Sequence, residues 1–352
     1  MLIQPVAVAT KNREHSQAWV HGRVADVVLG WCWLPIALLM HSMESNVTRT
    51  QALMGIIFVI SFAHQPLTLG LVYADPAQRA AHRRFYLFMP FLMLGLIVLG
   101  LNVSLTVVGL MAGLWNAEHT LMQRYGVLRI YGRKAGDDNG RIEKPMLIVW
   151  LVTALMFMGA YVNLPKMVAK IGFGGTNARS VKALESMRGV AMPLFWVGVA
   201  VSLWFAMRWV QAQRATAPST ARTAKWIYAA GTLGLLIAVM VDPIAGIAGY
   251  VAAHAIEYFG VVHGSLRRRA VTGEPSPLTS VSRSRPRRTA LYVAYFAMIA
   301  ALIVVSWNLW DGRGYAFLVL WFGGLHILYD GFVWKLRKPA VAASLGITPA
   351  AT

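Results

Sequence analysis

Six ionisable side chains stand deep inside long apolar runs of this sequence: His64, His119, His254, Glu257, His326 and Asp330. Such groups are costly in hydrocarbon, so they face a bundle interior or a wet cavity. Their spacing groups them. His326 and Asp330 are i, i+4, His254 and Glu257 are i, i+3, and Asn116, His119 and Gln123 form one stripe. Each set shares a face if its run is helical. Glu118 is turned by about 100° from His119, His263 lies on the far side from His254 as an interfacial residue, and Asp26 stands alone in the first run.

Histidines and carboxylates converging in an apolar bundle suit a transition metal, because imidazole takes Fe, Zn, Cu or Ni and carboxylate adds hard oxygen. Helical bundles build such sites from acid–histidine pairs at one-turn spacing. The expected ligands are His64, His119, His254, Glu257, His326 and Asp330, with Asn116, Gln123, Asp26 and Glu118 orienting or tuning them. Iron, mononuclear or dinuclear, is the expected metal, with zinc the alternative. Its setting fits oxygen chemistry on a lipid or other apolar small molecule, with an electron-donor protein as a further partner. A proton- or ion-coupled transporter would use the same residues as a relay. A scaffold would keep each histidine only as a hydrogen-bonded packing residue.

The elements that must position these groups are transmembrane helices. Of the 352 residues 57% are hydrophobic and 13% charged, against about 25% charged in a soluble domain, and the mean hydropathy is +0.54. Apolar runs long enough to cross a bilayer recur, and a spanning backbone must bond within itself, which requires helix. Ten spans are expected, at about 24–43, 51–73, 85–101, 105–123, 145–163, 190–207, 226–241, 244–263, 289–309 and 314–334. The class is therefore an all-α, polytopic membrane bundle. With both termini cytoplasmic, 26 of the 33 Lys and Arg fall on the inner side, the bias that the positive-inside rule requires. In that topology four spans place a histidine at one level, roughly 8 to 20 Å from the cytoplasmic boundary at helical rise.

The formal charge of +19 thus points to anionic lipid headgroups rather than nucleic acid. The expected organisation is a cytoplasmic segment 1–23, one transmembrane domain 24–338, a basic and disordered cytoplasmic loop 264–288 within it, and a tail 339–352. Loop 164–189, with Gly172-Phe173-Gly174-Gly175, reads as a cap or a connector. No secretory signal pattern opens the chain, and the expected location is a bacterial cytoplasmic membrane. Cys32 has no partner cysteine and reads as a small apolar residue. The sequence has neither the paired histidine boxes of membrane desaturases, nor HExxH, nor a P-loop.

Two spans carry a family resemblance. Pro243-Ile-Ala-Gly-Ile-Ala-Gly-Tyr250-Val-Ala-Ala-His254-Ala-Ile-Glu257-Tyr258 and His326-Ile-Leu-Tyr-Asp330-Gly-Phe-Val-Trp-Lys resemble helices of the Brp/Blh family of integral-membrane, iron-dependent carotene dioxygenases. The resemblance implies an iron site carried by His64, His119, His254 and His326. The family's first-helix Pro-His-Gly motif is missing, Glu257 stands where the family has a second histidine, and the His-to-Asp spacing differs by one, so carotene does not follow as the substrate.

Overall fold

The computed structural model describes residues 18–103, 105–137, 140–172, 185–272, 276–309 and 313–347. Among them there is helix and no strand. The long helices are α1 (Arg23–Trp31), α2 (Trp33–Met43), α3 (Val47–Tyr73), α4 (Arg83–Val103), α5 (Leu105–Lys134), α6 (Gly140–Tyr161), α7 (Arg188–Ala215), α8 (Thr220–Val241), α9 (Pro243–Thr272), α10 (Arg285–Trp307) and α11 (Arg313–Val333). Short helices cover Pro76–Ala81, Leu164–Lys170, Pro277–Ser282 and Pro339–Ser344. Nine stretches among the described residues are long and apolar enough to cross a membrane, α1 and α2 counting together as one. The expected fourth span is present as the 30-residue helix α5, but polar and charged residues from Asn116 through Arg133 interrupt its apolar character, and it is not among the nine.

The chain forms two compact units, Met1–Phe58 with Thr120–Glu257, and Val59–His119 with Tyr258–Thr352. The division falls inside α3, α5 and α9.

In the first unit small residues let helices approach closely, as packing within lipid demands. On α7, a Cβ added at Gly198 would lie 2.6 Å from Thr153 Oγ1 of α6. The Thr153 and Ser202 hydroxyls meet at 3.0 Å beside that contact. Gly231 of α8 lies against the Gly30 carbonyl and the Trp31 ring of α1, and Trp31 Nε1 donates to Ile227 O at 3.2 Å.

This unit also holds buried charge that the loop reading did not anticipate. Helix α5 continues through the expected basic loop, turning Arg124 and Arg129 inward. Arg124 Nη2 donates to Glu257 Oε1 at 2.7 Å, and Tyr228 OH donates to Glu257 Oε2 at 3.0 Å. Arg129 Nη1 reaches Glu143 at 2.9 Å and Asp137 at 3.2 Å. Lys225 Nζ donates to Asp137 at 2.7 Å and pairs closely with Glu143. Each acid here neutralises a buried cation, which makes burial of both tolerable.

The second unit packs α11 against α4 and α10. Gly324 admits Met93 of α4 at a distance a side chain would block. Val72, Tyr86, Leu325 and Tyr329 form one buried cluster, and Leu71, Tyr258, Val262 and Leu266 another. The segment expected to be disordered is ordered where it is described: α9 runs on to Thr272, Pro277–Ser282 is helical, and α10 begins at Arg285. Arg269 Nη2 on α9 is anchored 2.6 Å from Asp75, which caps Pro76–Ala81. A partner acid thus holds one of the basic residues that composition assigned to a floppy loop. In loop 164–189, Leu164–Lys170 is helical and 173–184 lie outside the described residues.

Lys225→Met should remove one of the two cations, Lys225 and Arg129, that pair with Glu143 and Asp137 among the described residues. A loss of about 3–5 kcal/mol is the expected scale for breaking a buried pair, read as a lower melting midpoint in detergent. An unchanged midpoint would contradict the pairing.

Candidate metal centre

The second unit brings four of the expected ligands together. His64 comes from α3, where Ser61, His64, Gln65 and Thr68 form a buried polar patch in an otherwise apolar helix. His119 comes from α5, and His326 and Asp330 share one face of α11. His64, His119 and His326 are all buried, the last with 1% exposure. His64 Nε2 lies 3.2 Å and His119 Nε2 3.0 Å from His326 Nε2. Both rings stand nearly perpendicular to the His326 ring, at 86° and 83°. Asp330 Oδ2 lies 3.7 Å from the Nε2 atoms of His119 and His326.

Two hydroxyls fix the geometry around His326. Thr68 Oγ1 is 2.7 Å from His326 Nδ1 and 2.9 Å from Asp330 Oδ1. Tyr258 OH donates to the same Asp330 oxygen at 2.9 Å, contacts Thr68 Oγ1 closely, and accepts from Trp334 Nε1 at 3.3 Å. An ionised carboxylate only accepts, and each hydroxyl has one proton. Both hydroxyl protons go to Asp330 Oδ1. Neither remains for His326 Nδ1, which must itself donate to Thr68. The neutral His326 ring therefore presents the Nε2 lone pair to His64, His119 and Asp330.

That lone pair can accept one hydrogen bond well, yet it faces two imidazole nitrogens and a carboxylate. His119, His326 and Asp330, whose ligand atoms all lie within 4.8 Å of one another, could hold a metal cation, with His64 Nε2 3.2 Å from His326 Nε2. At about 2.1 Å from a metal, neighbouring ligands stand about 3.0 Å apart in an octahedron and about 3.4 Å in a tetrahedron. The observed 3.0 and 3.2 Å fall in that interval, and the 3.7 Å from Asp330 to two of the imidazoles lies beyond it. Three imidazoles with one carboxylate make a mixed nitrogen and oxygen set that iron, zinc and neighbouring metals accept. Thr68 holds the ring nitrogen opposite the coordinating face, as acceptors around metal-bound histidine do.

His254 and Glu257 belong to the first unit. His254 is buried there, its carbonyl accepting from Gln123 Nε2 at 3.1 Å, and both Glu257 oxygens are engaged by Arg124 and Tyr228. Asp26, also in the first unit, accepts from the Val20 amide at 2.6 Å and the His21 amide at 2.9 Å, so it ties the chain entering α1. In the second unit Glu118 is exposed and Asn116 half-buried. His263 meets Tyr292 OH at 2.7 Å.

Sequence reasoning passed over Thr68 and Tyr258. The available signal was that Thr68 follows His64 by one helical turn of four residues, on the same face.

Histidine-labelled protein should show His326 as the Nδ1–H tautomer by nitrogen NMR. Thr68→Val keeps the volume but removes the acceptor and should abolish that preference, whereas Thr68→Ser should retain it. A wild-type Nε2–H tautomer would overturn the assignment.

Comparison of the chain with family models, with curated proteins and with solved structures gave no match.

Proposed function

We propose that this chain is a metal-dependent membrane oxidoreductase, an iron oxygenase or desaturase-like enzyme acting on a lipid or isoprenoid. The observation that carries the reading is the convergence of His64 Nε2, His119 Nε2 and Asp330 Oδ2 on the lone pair of His326. In this reading the three imidazoles and Asp330 hold one metal. Bound iron would supply one-electron and oxygen chemistry that side chains lack. The protein's own part is to orient the ring of His326 through Thr68, to hold a proton between Tyr258 and Asp330, and to exclude bulk water by burial.

Iron is preferred over zinc because an apolar substrate dissolved in the bilayer offers little to hydrolyse and much to oxidise. A relay for proton- or ion-coupled transport would use similar residues, but such sites are built on discontinuous helices. Helices α3 and α11 each run through the site as one helix, α3 with Pro66 inside it, and this favours the metal reading.

The proposal extends to topology. With α5 as a tenth span and both termini cytoplasmic, the centre lies in the inner half of a bacterial cytoplasmic membrane. The basic residues of the inner loops then meet anionic headgroups, and an electron-donor protein docks on that side.

Purified protein should carry about one transition metal per chain, as a single set of ligands of this size implies, and His326→Ala should lose it. Asp330→Asn should weaken binding by roughly 10- to 100-fold, the range seen when a metal site loses a supporting carboxylate. Metal content that stays below about a tenth of an ion per chain after anaerobic reconstitution of folded protein would refute the proposal. Proteoliposome uptake driven by a pH gradient, without bound metal, would replace it with transport.

A further inference from the structure

The first unit gathers another set of ligand-type side chains at the ends of its helices, apart from every residue of the centre described above. His41 lies in the last turn of α2, Glu44 follows that helix directly, and Asp242 links α8 to α9. One ligand atom from each lies within 4.8 Å of the other two. His41 Nδ1 stands 2.5 Å from Asp242 Oδ2. Asp242 Oδ1 is held by the Ala245 amide at 3.1 Å, at the start of α9.

Three features point to a bound cation. Two carboxylates are held side by side, and among the described residues Lys170, 2.8 Å from Glu44 Oε2, is the one Lys or Arg bonded to either of them, while the His41 ring contacts Asp242. The other oxygen, Glu44 Oε1, is shielded from solvent and accepts no hydrogen bond, an arrangement that leaves a buried acceptor without compensation. The C-terminal end of α2, where the group sits, adds the partial negative charge of its free carbonyls. Burial, together with the neighbouring Asp242 carboxylate, holds Glu44 above the usual carboxylate range, consistent with crowded negative charge.

We infer that His41, Glu44 and Asp242 form a surface site for a divalent transition cation, with zinc the best match. One imidazole nitrogen and two carboxylate oxygens are a zinc-type donor set that leaves a position for water. The His41 side chain is 72% exposed, so an ion has an open path. Its contact with Asp242 is shorter than two ligands of one metal allow, and an exposed ring can swing outward by the small amount required. A bound ion would clasp the end of α2 to the α8–α9 junction, and through Lys170 to the helix Leu164–Lys170.

The test uses the full chain carrying His326→Ala, which disables the proposed imidazole centre and leaves this group intact. Chelator-stripped protein in detergent is titrated with Zn²⁺ by calorimetry, and thermal unfolding is followed in parallel. The expected result is about one zinc per chain, with a raised melting midpoint through linkage. Adding His41→Ala, a change at an exposed position that leaves packing alone, should weaken uptake by about tenfold or more. Asp242→Asn should do the same. If His326→Ala gives too little protein, the comparison is made between the unaltered chain and His41→Ala alone. Zinc uptake that is identical with and without His41 would overturn the inference. So would an equal response to Mg²⁺, or stability that changes with pH while no zinc binds, which would assign the group a shared proton instead.

Discussion

A threonine hydroxyl has one proton, and the disposition of that proton at Thr68 governs the second unit. Because an ionised Asp330 takes up the hydroxyl protons of Thr68 and Tyr258, His326 donates from Nδ1 to Thr68. Its Nε2 lone pair then has a fixed direction, towards two further imidazoles. The elements around it serve this constraint. Thr68 and His64 stand one turn apart on α3, His326 and Asp330 one turn apart on α11, and Trp334 closes the far side of Tyr258. Without the orienting hydroxyl the four groups would be an ordinary polar contact in an apolar bundle. With it the His326 lone pair has a fixed direction, the preorganisation that the proposed metal centre needs.

The two units treat buried charge differently. In the first, each of Glu257, Asp137 and Glu143 meets a cation and a further donor, and together they neutralise Arg124, Arg129 and Lys225. Such pairs hold helices in register and leave no open coordination. In the second, the histidines face one another with one carboxylate, and among the described residues no Lys or Arg is bonded to it. Neutralised acids make architecture, whereas imidazoles around a carboxylate without such a cation are the arrangement on which the proposed metal centre rests. That contrast separates Glu257 from Asp330, although both lie about one helical turn from a buried histidine.

The sequence reveals much of this architecture and part of the site. Helical, membrane-crossing character follows from the apolar runs, and nine of the expected spans are found among the described residues. His64, His119, His326 and Asp330 are recognisable because an ionisable group in an apolar run has few physical excuses. Thr68 and Tyr258 are not, since hydroxyl residues are common in such helices and can return their proton to their own backbone. Glu257 reads as a ligand from its spacing to His254, because periodicity identifies a shared face but not the side chain across from it; Arg124 lies 133 positions away in sequence. The helices at 264–272 and 277–282 are hidden for a similar reason: composition records the arginines but not Asp75, which holds Arg269.

The central claim is that imidazole nitrogens from α3, α5 and α11 share one metal. X-ray absorption at the metal edge of the purified protein tests it most directly. The account predicts nitrogen and oxygen scatterers at about 2.0–2.2 Å, with the outer-shell pattern of several imidazole rings, and loss of that pattern in His326→Ala. A spectrum without imidazole scattering, or one unchanged by that substitution, would contradict it.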